Sequence, residues 1–251
     1  MDEVFAQGLS PIHRLDPRVK VIIAAAFSVV VALGEDFAVL LLAIPFPLVL
    51  IALARLDLKA LLRRLVVVNA FVLFLWLFIP LSFRGGERLS LGALSLSKEG
   101  VIWCLKITLK SNVIVLGSIA LLSTTPIFSL VHALRHLWVP DKLVHLLFFC
   151  FRYVHVIERE YERLLKAMKV RGFEPRSDLH TYRSYAYLVG TLLLKGSDRS
   201  QRVYQAMICR GFESKYWVLD HFSLKRGDVV AFSLMAAWVL WLGFLQWGGI
   251  F

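Results

Sequence analysis

The sequence predicts an all-α integral membrane protein: about five transmembrane helices plus a cytoplasmic helical domain whose two long helices end in Ala-Met-x-x-Arg-Gly boxes. Three observations predict it. Of 251 residues, 58% are hydrophobic and 19% charged, and the mean hydropathy is +0.68; a soluble domain would be about half apolar. Apolar runs recur at the length of a bilayer crossing. Finally, 17 of the 29 Lys and Arg lie between residues 123 and 226, and such basic blocks stay cytoplasmic.

The runs lie near residues 19–33, 37–53, 65–83, 101–122 and 229–247, each close to the ~20 residues that cross the hydrocarbon. The first should open at Asp16-Pro17, with Asp as the helix cap and Pro at the first helical position. In the fourth, Lys106 and Lys110 lie one turn apart, so they should snorkel outward or face protein. The polar start, with Asp2 and Glu3, lacks the layout of a cleaved signal peptide, so the first span should remain in the mature chain.

Cation placement sets the expected orientation. The Glu35-Asp36 turn carries no cation, whereas Arg55, Lys59, Arg63 and Arg64 stand against Asp57 in the next connection. That connection, and the N-terminus with Arg14, Arg18 and Lys20, should therefore be cytoplasmic. Residues 82–100 should form a Gly-rich hairpin outside, and five spans put the C-terminal Gly-Gly-Ile-Phe outside too. The expected organisation is residues 1–122 as four transmembrane helices, 123–226 as the cytoplasmic helical domain and 227–251 as the last span.

Within the basic block, Thr124-Thr125-Pro126 reads as a helix N-cap, and Val139-Pro140-Asp141 opens another helix through Pro and an acidic first turn. One long helix should run from about residue 142 to 171 and a second from about 184 to 210. The charged stretch from Glu158 to Arg163 should be laced with helical ion pairs among Glu158, Glu162, Arg159 and Arg163. Arg152-Tyr153 suits either a headgroup anchor or a packing role.

The most specific feature is a repeat. Ala167-Met168-Lys169-Val170-Arg171-Gly172-Phe173-Glu174 returns 39 residues later as Ala206-Met207-Ile208-Cys209-Arg210-Gly211-Phe212-Glu213, identical at six of eight positions. Ala and Arg four apart share a helix face. A Gly just past the last helical residue takes the left-handed conformation and leaves the Arg projecting from a rigid end. Arg before Gly is also ordinary helix-terminal chemistry. A box repeated without the helix around it asks for more: two equivalent things to be touched.

Other chemistries find little support. His132 and His136 have zinc-like i,i+4 spacing, but Ala133 stands where a metallopeptidase needs Glu. Cys104, Cys150 and Cys209 show no metal-like spacing. No phosphate loop of the Gly-x-x-x-x-Gly-Lys-Ser/Thr type occurs, so ATP hydrolysis must be borrowed. No basic module with interleaved aromatics suggests nucleic-acid binding. Within the spans the candidate catalytic groups are few, with Ser28, Asn69 and Asn112 foremost, which is thin for an intramembrane enzyme or for a permease that binds its own cargo.

Taken together, His13-Arg14-Leu15-Asp16-Pro17-Arg18-Val19-Lys20, Leu122-Ser123-Thr124-Thr125-Pro126, Phe151-Arg152-Tyr153 and the two boxes resemble the transmembrane T component of energy-coupling-factor importers, the CbiQ family of cobalt and nickel systems. The likeness runs nearly end to end. Val203-Tyr204-Gln205, Phe173 and Phe212 resemble the cobalt-type subgroup. The resemblance implies a non-catalytic inner-membrane subunit without cofactor or bound metal. Its partners would be two cytoplasmic ATP-binding-cassette ATPases and a substrate-capturing membrane subunit, either an S component or a metal-binding CbiM-like protein. It also implies that Ala167, Met168, Arg171 and Gly172, with Ala206, Met207, Arg210 and Gly211, form the ATPase-coupling boxes. The alternative expectation is an intramembrane metal-dependent or lipid-modifying enzyme using His132 and His136.

Overall fold

A computed structural model describes residues 8, 10–82, 88–91, 94–137, 139–212 and 226–248. The chain divides into two compact units, Met1–Leu137 with Phe222–Phe251, and Trp138–His221. Asp2, Glu3, Arg84, Glu87, Glu213 and the closing Gly249-Ile250-Phe251 lie outside the described residues.

In the first unit a short helix α1 (Pro11–Arg14) precedes α2 (Pro17–Leu33). Asp16 caps α2 as expected, its carboxylate accepting from the Arg18 N–H at 2.9 Å, with Pro17 in the first helical position. At 17 residues, α2 is about 25 Å long and is short for a crossing. Among the described residues, four other segments are long and apolar enough to cross a membrane: Phe37–Ala54, Leu58–Ile79, Glu99–Leu122 and Arg226–Trp247. The first of these is two helices, α3 (Phe37–Ala43) and α4 (Pro45–Ala54). The break follows from Pro45, which lacks an N–H and crowds the carbonyl four residues back; the Ile44 N–H turns instead to the Leu41 carbonyl at 3.2 Å.

α5 (Leu58–Ser82) and α6 (Lys98–Leu122) follow, joined across an antiparallel hairpin of β1 (Arg88–Leu91) and β2 (Leu94–Ser97), in register Arg88 to Ser97. The expected external hairpin is thus a short two-stranded ribbon on a helical protein. α5 and α6 are zipped by polar groups. Asn69 and Asn112 exchange amide hydrogen bonds, 2.9 Å each way, and the Trp76 indole N–H donates to the Thr108 hydroxyl at 2.9 Å. In an apolar setting an amide finds no water to compete, so such pairs set helix register. The outer face of α5, including Val66, Val67, Phe71, Leu73 and Leu77, is exposed and suits lipid contact.

The core of this unit is apolar: Ile23, Phe27 and Val31 of α2, Leu40 of α3, Leu50 of α4, Leu121 of α6 and Leu242 of α10 (Arg226–Trp247). Phe27 packs against Phe46 with ring centres 4.7 Å apart and planes tilted by 38°. α7 (Ile127–His136) packs on α2 and belongs to this unit. Its N-cap is Pro126, without a side-chain bond. The expected capping by Thr124-Thr125 is therefore corrected: both hydroxyls turn back onto α6, Thr124 donating to the Ala120 carbonyl at 3.0 Å.

The second unit consists of two long helices, α8 (Asp141–Val170) and α9 (Leu179–Cys209). α8 opens as expected behind Pro140, with Asp141 in its first turn. α9 starts earlier than residue 184 because Asp178 caps it, accepting from the Thr181 N–H at 2.8 Å. Hydrogen bonding by Thr181, through its side chain first and its N–H second, holds the Asp178 carboxyl below its ordinary range.

Candidate functional site

The two helices of the second unit run antiparallel. The Phe173 ring meets Tyr185 edge-on at 5.7 Å beside the connecting turn. Further along, Lys195 of α9 donates to the Glu160 carboxylate of α8. Beyond that tie the helices leave an apolar groove of about 760 Å³. Phe149, Tyr153 and Ile157 line it from α8, Leu192, Val203 and Met207 from α9. Tyr153 stacks on Phe149, ring centres 6.1 Å apart, so of its two expected roles the structure displays packing.

The expected ion pairs among Glu158, Glu162, Arg159 and Arg163 are replaced by others. Glu160 pairs with Arg163 at 3.2 Å, three residues on, and His155 approaches Glu158 at 3.5 Å. Glu160 is drawn into both an intrahelical and an interhelical pair, which sequence spacing along one helix does not reveal. The Lys195 hydrogen bond, ahead of the nearby charges, holds its carboxyl below the ordinary 4.5. A carboxyl depressed on folding contributes stability above its unfolded value, and that contribution is lost as pH falls through the folded one. Glu160→Gln is therefore expected to quicken amide exchange across the α8–α9 contact at pH 7. The wild type should approach the variant's rate as pH falls below 4.5.

The boxes lie at opposite ends of this pair, the first at the connecting turn and the second at the far end of α9. At ~1.5 Å per residue the 30 residues of α8 span about 45 Å. Their backbones are nearly superimposable. Arg171 has φ −83° and ψ 12°, and Gly172 follows at φ 80°; Arg210 has φ −93° and ψ 10°, and Gly211 follows at φ 78°. In the first box the Phe173 N–H reaches the Met168 carbonyl at 3.1 Å and the Gly172 N–H the Lys169 carbonyl at 3.0 Å. In the second, Phe212 reaches Met207 at 3.1 Å and Gly211 reaches Ile208 at 2.9 Å. Both are Schellman caps.

This geometry separates the roles within the box. A Schellman cap requires a left-handed residue, supplied by glycine, and favours an apolar contact between the residue after it and the residue four before it. Gly172, Met168 and Phe173 fill those positions, as do Gly211, Met207 and Phe212, and both Met and Phe are half-buried in each box. Capping asks nothing of the alanine or the arginine. Ala167, Arg171, Ala206 and Arg210 are all exposed. Each box thus presents a guanidinium, with a small residue one turn behind it on the same face, from a backbone locked by its own hydrogen bonds. Sequence reading found the boxes; it missed the groove, although Met207 and Phe212 line one end of it.

His132 and His136 lie on α7 with ring centres 5.2 Å apart, edge to face. Burial, then the positive charges of Arg18 and Arg135, outweigh Asp16 and hold His136 below its ordinary value. Among the described residues no group of three or more His, Cys, Asp and Glu is placed to hold a metal ion.

Comparison with known proteins agrees with the family resemblance carried by the sequence motifs. Residues 8–217 match the family described as CbiQ, cobalt transport protein. The chain is similar to the energy-coupling factor transporter transmembrane protein EcfT of Thermosediminibacter oceani, 27% identical over 221 residues covering 82% of each chain. It is 26% identical over 253 aligned residues to the protein of that name from Leuconostoc gelidum, covering 94% of this chain and 93% of the relative. The one from Heliobacterium modesticaldum is 29% identical over 222 residues, 80% of this chain and 79% of the relative. A match over residues 8–217 of 251, on a helical multi-pass membrane protein, places this chain in the CbiQ family of energy-coupling-factor transporter T components.

Proposed function

We propose that this chain is the coupling subunit of an importer, transmitting ATP-driven motion from two cytoplasmic ATPases to a substrate-capturing membrane subunit. The observation that carries this reading is the pair of identical arginine posts at opposite ends of one antiparallel helix pair. Their separation, on the order of 45 Å, exceeds the ~30 Å of a small domain, so they suit two separate sockets. A guanidinium offers a rigid fork of donors to a carboxylate or to carbonyls. Ala167 and Ala206 leave room for the partner's backbone. ATP closure would move the sockets, α8 and α9 would act as levers, and the membrane partner would be reoriented in the bilayer. Helices with so much exposed apolar surface, including Leu143, Leu146, Leu193 and Leu194, suit burial against such a partner.

The cargo in this reading is cobalt or nickel, supported by the cobalt description of the matched family, and is captured by the partner. Residues 1–122 and 227–251 are the membrane part and 123–226 the cytoplasmic part, with the N-terminus inside and the C-terminus outside, on the cation asymmetry of the connections. Proteins leaving the membrane with this chain in mild detergent test the role: two ATPase copies and one further membrane protein are expected, and their absence would remove the proposal. Orientation is tested separately. A cysteine at Glu35 should react only from outside and one at Ser177 only from the cytoplasm; the reverse pattern would refute it.

A further inference from the structure

Two of the motifs that the arginine posts leave unexplained meet each other. Lys20, which ends the His13 to Lys20 motif, is fully buried. Its ammonium donates to the Thr125 hydroxyl at 2.7 Å and lies 3.4 Å from the Thr124 hydroxyl and 3.5 Å from the Thr124 carbonyl. Among the described residues no carboxylate pairs with it. What it meets is the turn just past the C-terminal end of α6, where the helix dipole is negative. At the opposite end of the same helix pair the arrangement is mirrored: Lys110 of α6 donates to the Ala32 carbonyl, in the last turn of α2, at 3.0 Å. Between these ends Phe27 lies so close to Gly117 that a methyl group there would come within 2.9 Å of the ring.

The three levels occur in opposite order along the two helices, so α2 and α6 are antiparallel, and each places a lysine on the carbonyl end of the other. Sliding one helix along the other would break both lysine caps at once. The fully buried Lys20 ammonium would then be left without its acceptors, which is costly, while the partly exposed Lys110 would lose its carbonyl contact. α6 continues through Thr124-Thr125-Pro126 into α7, which precedes the second unit in the chain.

We propose that α2 and α6 form a reciprocally capped strut that moves as one body during transport, with Lys20 the positioning residue that fixes the α6–α7 turn upon it. The strut's part in transport rests on the coupling role proposed above, whereas the clamp itself does not, and the tests separate the two. In the purified chain, Lys20→Met is expected to raise amide exchange through Thr124, Thr125 and α7 about tenfold or more, leaving α10 unchanged. Unchanged exchange at the turn would overturn the clamp whatever the protein transports.

In the assembled transporter, Lys20→Met is expected to lower cargo uptake per complex about tenfold while ATP hydrolysis per complex stays within about twofold. A residue that merely stabilised the fold would lower the amount of complex, not this ratio, and parallel loss of both rates would overturn the positioning role. A disulfide between Ala24→Cys and Ala120→Cys, positions bracketed by the Lys20 and Phe27 contacts on facing stripes, should form in a chain cleared of native cysteines. It should leave uptake intact. Uptake lost on oxidation and restored on reduction would show that the helices must move past one another, and would overturn the strut. If the ATPases do not accompany the wild-type chain at all, the coupling role fails and the strut in transport fails with it; the exchange result still decides the clamp.

Discussion

Changing Arg171 and Arg210 together to Ala is expected to abolish cargo uptake and release both ATPases from the chain, with membrane insertion and thermal stability unchanged. The split follows from the caps. Gly, Met and Phe hold each Schellman turn, and both arginines are exposed, so truncating them removes nothing the fold uses. Losing a charge-assisted contact that is buried on docking costs roughly 2–5 kcal/mol of interface energy, enough for each single variant to weaken its own socket at least about thirtyfold. Lys at both positions keeps the charge but not the planar fork, and should retain part of the activity. If the arginines were only helix caps, Lys would serve as well as Arg and Ala would leave assembly intact.

Gly117→Val is expected to destabilise the membrane unit by about 1–3 kcal/mol or more, as overpacking of a tight core does. A Cβ at Gly117 would lie 2.9 and 3.1 Å from Phe27 ring carbons. That ring is 1% exposed and already packed against Phe46, so it has nowhere to retreat. The extra branches of Val should make matters worse than Ala. The unfolding midpoint of the purified chain in detergent checks this, with Ala giving the smaller drop. A midpoint equal to wild type for Val would mean that α2 and α6 do not approach as closely as the structure has them.

The helices were legible in the sequence wherever a local signal exists. Asp16-Pro17 and Pro140-Asp141 start helices where capping chemistry says they should, and the doubled Arg-Gly marks both long-helix ends. Helix ends set by less obvious signals were misplaced. Pro45 interrupts a run that hydropathy alone reads as continuous, and Asp178 starts α9 earlier than the apolar pattern from Tyr185 predicts. Thr124-Thr125 has the composition of an N-cap, yet both hydroxyls bond back to α6 carbonyls and meet Lys20, more than 100 residues earlier in the chain. Contacts of this kind are set by packing. The Asn69–Asn112 pair and the Glu160–Lys195 tie are invisible to spacing for the same reason. The site was legible as a pattern, because a repeat within one chain needs no partner to be seen. Its division into capping residues and presented residues needed the backbone: φ near 80° at Gly172 and Gly211 identifies the cap, and what the cap does not use is what remains for recognition.

The central claim is that each box engages its own ATPase. The first variable position of each box, Lys169 and Ile208, is exposed and differs between the copies, so a photoreactive residue there should be tolerated without touching the arginines. Illumination of the assembled transporter, with the products counted per chain, tests the claim most directly. Either position alone should trap one ATPase, and the doubly substituted chain should trap two. A doubly substituted chain that traps at most one, in an assembly that still takes up cargo, would contradict the account.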